Sequence, residues 1–228
     1  MNKRNFYLVA GSKGGVGKSL ATMSLIDYLL AHDNKVFLFE SDTSNPDVAK
    51  SHANTVPHQL VDLDGRDGWI EMVNRVGELA DYTCVVNTGS RSNTAVGKFS
   101  SLLEGGLSEL GVDLITIWMI NTQRDSVELL HDYRASLPGA RIHVMRNEHC
   151  GETFSLYDNS DIRAAVEASG GKSHVFPALA GRVTDQLYNG RQTLQTLETA
   201  ATSPLGNRME VRRWRNQVSK VLDAVVSQ

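Results

Sequence analysis

The sequence predicts an α/β protein with a doubly wound, mostly parallel β-sheet flanked by helices. Short β-branched or aromatic runs alternate with longer segments of helical period, the pattern of successive strand–helix–strand units. No composition break divides the 228 residues, so one domain over 1–228 is the expectation. The content, 41% hydrophobic and 21% charged, is that of an ordinary globular chain with a full core.

The elements follow in order. Phe6 to Ala10 reads as a first strand near 6–10, and Leu20, Met23, Leu25 and Leu29 mark a helix near 18–32. Further strands are expected near 36–40, 82–87, 112–120, 141–145 and 173–176, with helices near 67–80, 97–109, 124–136 and 158–169. A last helix is expected near 207–226. Ser92-Asn93-Thr94 and Ser203-Pro204-Leu205-Gly206-Asn207 supply loop or capping chemistry at helix starts. A doubly wound sheet carries its ligand at the carboxyl ends of the strands, so the loops after residues 10, 40, 87, 120 and 145 should converge.

Charge and cysteine usage exclude several classes. A formal charge of -3 spread without blocks argues against a basic nucleic-acid binder and leaves only local patches. Cys84 lies in the apolar run Cys84-Val85-Val86 and Cys150 is the only other cysteine, so free thiols in a reducing cytoplasm are expected. The apolar stretch after Lys3 and Arg4 is too short for a signal-peptide core, and Val112 to Ile120 is far below the ~20 residues that span a bilayer.

After the first strand comes Gly11-Ser12-Lys13-Gly14-Gly15-Val16-Gly17-Lys18-Ser19, then helix. Glycines let successive backbone N–H groups turn toward an anion, and the helix directs its positive end at the same point. Ser12 to Leu20 is thus a candidate phosphate-binding segment of a P-loop, with Lys18 reaching the β and γ phosphates and the Ser19 hydroxyl ligating Mg²⁺. Ser12 stands where the common G-x-x-x-x-G-K-[ST] pattern has its first glycine, and Lys13 is an additional lysine.

Lys13-Gly14-Gly15-Val16-Gly17-Lys18-Ser19 resembles the hallmark of the deviant-Walker-A ATPases of the ParA/MinD type. The resemblance runs in order along nearly the whole chain. It implies ATP and Mg²⁺ as cofactors, and a role for Lys13 across a dimer interface on the partner's nucleotide, hence an ATP-dependent homodimer. In that family the second strand ends in Asp-x-Asp; here Phe39 is followed by Glu40-Ser41-Asp42. The resemblance assigns Asp42 to positioning the attacking water and Glu40 to the neighbourhood of the metal. A carboxylate there can orient a water and take its proton; an ordinary acidic turn is the alternative. Where the family has a metal-holding aspartate, this chain has Asn87, followed by Thr88-Gly89-Ser90. Its neutral amide can accept from a metal-bound water but implies looser Mg²⁺ and slow hydrolysis, and Asn87→Asp is expected to tighten Mg²⁺ or speed turnover. Gly89 suits a switch turn sensing the γ phosphate.

Asn121-Thr122-Gln123-Arg124 resembles the loop that opens a helix beside the switch, or is a plain helix cap. Met145-Arg146-Asn147 matches in place the asparagine that reads the adenine edge, with a simple polar loop residue as the alternative. Phe176-Pro177, before a helical pattern from Arg182 to Asn189-Gly190, resembles the loop that closes over the base through Pro177. In the last helix, Val211, Trp214, Val218, Leu222 and Val225 form an apolar stripe, and four arginines fall within eight residues, Arg208 to Arg215. The arginines either face solvent or contact DNA or a membrane surface without sequence preference.

The function expected is a slow ATPase switch in plasmid partition, stability or conjugation, with a plasmid-encoded DNA-binding adaptor as partner. Its place would be the cytoplasm, with the nucleoid or inner membrane as surfaces it could associate with. The Glu40 and Asn87 departures most resemble the StbB-like branch. The alternatives are a ligase or metal-insertion enzyme on the same fold, for which neither paired cysteines near a dimer axis nor a substrate pocket is legible, or a nucleotide-binding scaffold with little hydrolysis.

Overall fold

The computed structural model describes residues 4–89 and 92–226. Ser90 lies outside them, as do the side chains of Ser92, Asn93 and Thr94, on which the capping expectation rested. Among the described residues, seven strands form one sheet: β1 (Arg4–Gly11), β2 (Val36–Glu40), β3 (His58–Leu60), β4 (Thr83–Asn87), β5 (Val112–Ile120), β6 (Arg141–Asn147) and β7 (Ser173–Phe176). Their order is β3-β2-β4-β1-β5-β6-β7 and every pairing is parallel. Chain order reverses around β1: β2 and β4 lie on one side of it and β5 on the other, which leaves a crevice at its carboxyl end.

Helices cover both faces, as a parallel sheet buried on both sides requires. On one side α3 (Arg66–Glu78), α4 (Ser92–Glu109), α5 (Arg124–Ser136), α6 (Ser155–Asp158) and α7 (Asp161–Ala168) pack through Trp69, Leu103, Leu130, Tyr157 and Ile162. On the other, α1 (Lys18–Ala31), α2 (Asp47–His52), α8 (Gly181–Asn189), α9 (Leu194–Thr199) and α10 (Leu205–Val226) pack through Leu25, Val48, Leu187, Leu197 and Trp214. β1 alternates between the two cores, with Phe6 and Leu8 in the first and Tyr7 and Val9 in the second.

Six of the seven strands stand where the alternation predicts them; β3, α2 and α9 are additions. Each has three to six residues, too short to show a period and below the length at which a helix is stable alone. The helix expected near 158–169 is α7, which starts at Asp161; the four-residue α6 before it is a further addition, set off at Asn159-Ser160, where the Ser160 hydroxyl donates to the Tyr157 carbonyl at 2.6 Å.

Candidate functional site

The turn from β1 into α1 is shaped by its glycines. A Cβ on Gly11 would lie 2.8 Å from the Met119 carbonyl oxygen, so β1 and β5 can approach only with glycine there. Gly17 precedes α1 with φ of 101°, and a Cβ on it would stand 2.5 Å from the Asn147 side chain. No side chain caps α1, so its first N–H groups open toward the loop above them. Lys18 folds back over this loop, its ammonium donating to the Lys13 carbonyl at 2.9 Å. Burial lowers the Lys18 pKa, and the Asp42 charge opposes that shift.

Two other strand ends, those of β5 and β6, brace the loop. The Ser12 hydroxyl meets that of Ser126 at 2.8 Å, and Ser126 donates to the Asn121 side chain after β5. The serine at the first-glycine position therefore makes a specific contact. Asn147 donates from Nδ2 to the Val16 carbonyl at 2.9 Å and accepts from the His149 amide. Lys13 pairs with Asp125 of its own chain at 2.6 Å, both side chains being well exposed.

Behind the loop lies a polar cluster inside the sheet. Glu40 at the end of β2 is fully buried. Its Oε1 accepts from Asn87 Nδ2 at 2.8 Å and from the Asp42 backbone amide at 3.0 Å, and its Oε2 accepts from the Ala49 amide at 3.4 Å. Asn87 Oδ1 accepts from the Thr22 hydroxyl on α1 at 3.0 Å. Burial pushes the Glu40 carboxyl up to about 7, against the lowering effect of these donors. Next to the cluster, the Gly89 amide donates to the Ser41 hydroxyl at 3.2 Å, which links the turns after β2 and β4.

The cleft above these groups holds about 430 Å³. Gly14, Gly15, Gly17, Lys18, Ser19, Leu20 and Asp42 line it, together with Asn147 and Pro177. Glu40 and Asn87 do not line it; they stand behind Asp42, enclosed in the sheet. Sequence reading missed Thr88, His149, Leu179, Gly181, Thr184, Asp185 and Tyr188 in the lining. Of these, 181, 184, 185 and 188 repeat at helical spacing along one face of α8, a signal that was available once Pro177 had placed a helix over the cleft. The loop after β5 supports the turn through Ser126 instead of lining the cleft.

The last helix is more engaged than its sequence suggests. Arg215 pairs with Asp27 of α1 at 2.8 Å and with Glu198 of α9, Arg212 with Glu198 at 2.8 Å, and Arg213 with Glu210 at 2.7 Å. Three of the four arginines read as a candidate polyanion contact thus serve ion pairs within the chain.

Residues 7–203 match the CobQ/CobB/MinD/ParA nucleotide binding domain, and the chain belongs to that family of P-loop ATPases. It is similar to Protein MobD of Acidithiobacillus ferrooxidans, with 45% identity over 225 residues that make up 98% of each chain. Among solved structures, the MinD cell division protein of Aquifex aeolicus superposes with a TM-score of 0.55 at 13% identity, over 95% of this chain and 97% of that one. A putative plasmid partition protein of Borrelia burgdorferi bound to AMPPNP gives 0.55 at 14%, over 95% and 100%. At these identities the structural likeness speaks for the fold.

Proposed function

We propose that the cleft binds ATP with Mg²⁺, and that the γ phosphate drives formation of a homodimer that slow hydrolysis disperses. The observation that carries this reading is the Lys18 ammonium folded onto the carbonyl of its own glycine loop, above an uncapped helix start and beside Asp42. A buried cation among inward backbone N–H groups suits a polyphosphate. Ser19 and Asp42 offer two hard oxygen donors on the same wall, the donor set that Mg²⁺ favours. Bound there, Mg²⁺ would neutralise charge on the phosphates. Asp42 orients the attacking water and takes its proton, Lys18 stabilises negative charge on the phosphates, and Lys13 of a second copy adds a further cation. At the base end, Pro177 and Leu179 close over the ring beside Asn147.

The setting proposed is plasmid mobilisation, partition or stability, in the cytoplasm, at the nucleoid or inner membrane, with a DNA-binding adaptor as partner. The MobD relative and the partition protein among the structural neighbours support it. Both cysteines are free, as suits a reducing compartment. The ion pairs of Arg212, Arg213 and Arg215 speak against α10 arginines as a DNA or membrane anchor, so the adaptor is the favoured route to DNA. A second reading, a scaffold that holds nucleotide with little turnover, is favoured by the neutral Asn87. Isothermal calorimetry with ATP and Mg²⁺ tests the main claim. Uptake by the wild-type chain, with Lys18→Ala weakened at least about a hundredfold as the loss of a charged phosphate contact implies, is expected. Absence of uptake by the wild type sinks it, and phosphate release separates the switch from the scaffold.

A further inference from the structure

We propose that Glu40 is the positioning residue for Asp42, and that position 87 must be a neutral amide because Glu40 and Asn87 share one buried negative charge. The geometry is directional. Glu40 Oε1 accepts two N–H groups at once, from Asn87 Nδ2 at 2.8 Å and from the Asp42 backbone at 3.0 Å, and Oε2 takes the Ala49 amide at the start of α2. Only a carboxylate presents acceptors on both oxygens; a glutamine at 40 offers one. Asn87 passes the constraint on, because its Oδ1, at 3.0 Å, and the Lys18 carbonyl, at 2.9 Å, share the single Thr22 hydroxyl proton. One hydrogen-bonded chain therefore ties the Asp42 segment to the first turn of α1, where Lys18 and Ser19 begin. A carboxylate at 87 would face the Glu40 oxygen at the 2.8 Å now spanned by an N–H donor. Two carboxyls at that distance in a dry site cannot both stay ionised; they hold a shared proton between them, which takes Glu40 Oε1 away from the Asp42 amide.

This rests on the nucleotide reading of the cleft for its effect on turnover, and on geometry alone for its effect on the loop. It reverses the expectation that Asn87→Asp improves the site. In Asn87→Asp, turnover falls about tenfold, the scale of one lost charge-assisted hydrogen bond, while ATP affinity shifts much less. The amides of Asp42 and Ala49 exchange with deuterium faster than in the wild type. The double variant Glu40→Gln/Asn87→Asp restores an amide–carboxylate pair with its direction reversed. Thermal stability then recovers, but turnover and Asp42 amide protection do not, because the glutamine cannot donate to the carboxylate at 87 and accept from the Asp42 amide at the same end. A merely structural role predicts that turnover returns with stability.

The experiment is hydrogen exchange read by NMR on the nucleotide-free chain, with phosphate release and ATP titration on the same three proteins. Unchanged Asp42 amide exchange in Asn87→Asp, or turnover equal to the wild type, overturns the proposal. If Asn87→Asp does not fold, Thr22→Val, which removes the last link without adding charge, must still speed exchange at Asp42 relative to the wild type, and no change there is equally fatal. A wild-type chain that takes up no nucleotide would end the nucleotide reading and leave the exchange measurement to decide the inference.

Discussion

Asp125 and Lys13 make an exposed ion pair inside one chain, and that pair competes with any reach of the lysine toward a second copy. Releasing it should help association: Asp125→Ala is expected to lower the ATP concentration needed for dimer formation in light scattering, and an unchanged or higher requirement would count against a trans role for Lys13. A second residue-scale prediction concerns pH. His143 is fully buried on β6 with its Nε2 unpartnered among the described residues, and burial, aided by the charges of His174, Arg141 and Lys172, holds its pKa down to about 4. The unfolded chain takes up a proton near 6.5 and the folded chain does not, so His143 costs nothing above that pH and destabilises progressively as pH falls toward about 4. The loss should approach about 3 kcal/mol at 1.36 kcal/mol per unit. Urea unfolding at about pH 7 and about pH 4.5, either side of most of that window, should show a fall in midpoint that His143→Leu reduces; an equal fall in both proteins would clear His143 of it.

At the scale of elements, α10 does more than cover the sheet. Trp214 donates from Nε1 to the Pro177 carbonyl at 2.7 Å and sets its ring edge-on against Phe176, so the last helix holds the loop that brings Pro177 to the cleft. Trp214→Phe keeps most of the packing and drops the donor. Nucleotide affinity by fluorescence titration is expected to weaken about three- to tenfold, the range of one buried hydrogen bond. A loss confined to thermal stability would mean the loop is held by packing alone. This connection was not legible from α10 itself, whose stripe of Val211, Trp214 and Val218 reads the same whatever it packs on. Arg212 and Arg215 were equally opaque: their partners Asp27 and Glu198 come from other helices, 188 and 17 residues from Arg215.

For the whole molecule, the two cores on either face of a seven-stranded sheet leave one crevice at the carboxyl end of β1, and the proposed switch needs a second copy over it. Light scattering should show the mass doubling with ATP and Mg²⁺, remaining single with ADP, and remaining single in Lys13→Ala; doubling in that variant would remove the trans lysine from the account.

The strand alternation and the segment from Gly11 to Ser19 were readable in one dimension, because backbone period and glycine conformation are local properties. From them followed the parallel sheet, the turn, and the placing of Lys18 and Ser19 at the cleft, whereas Asp42, Asn147 and Pro177 were expected there through the resemblance to the ParA/MinD ATPases. What the residues near Asp42 do with one another was decided only in three dimensions. Glu40 meets Asn87 across 47 positions and Asn87 meets Thr22 across 65, so the sequence determined that a carboxylate and an amide stood at two strand ends, and the sheet order alone made them neighbours. A buried polar group is defined by the partners that satisfy it, and those partners are brought by the fold.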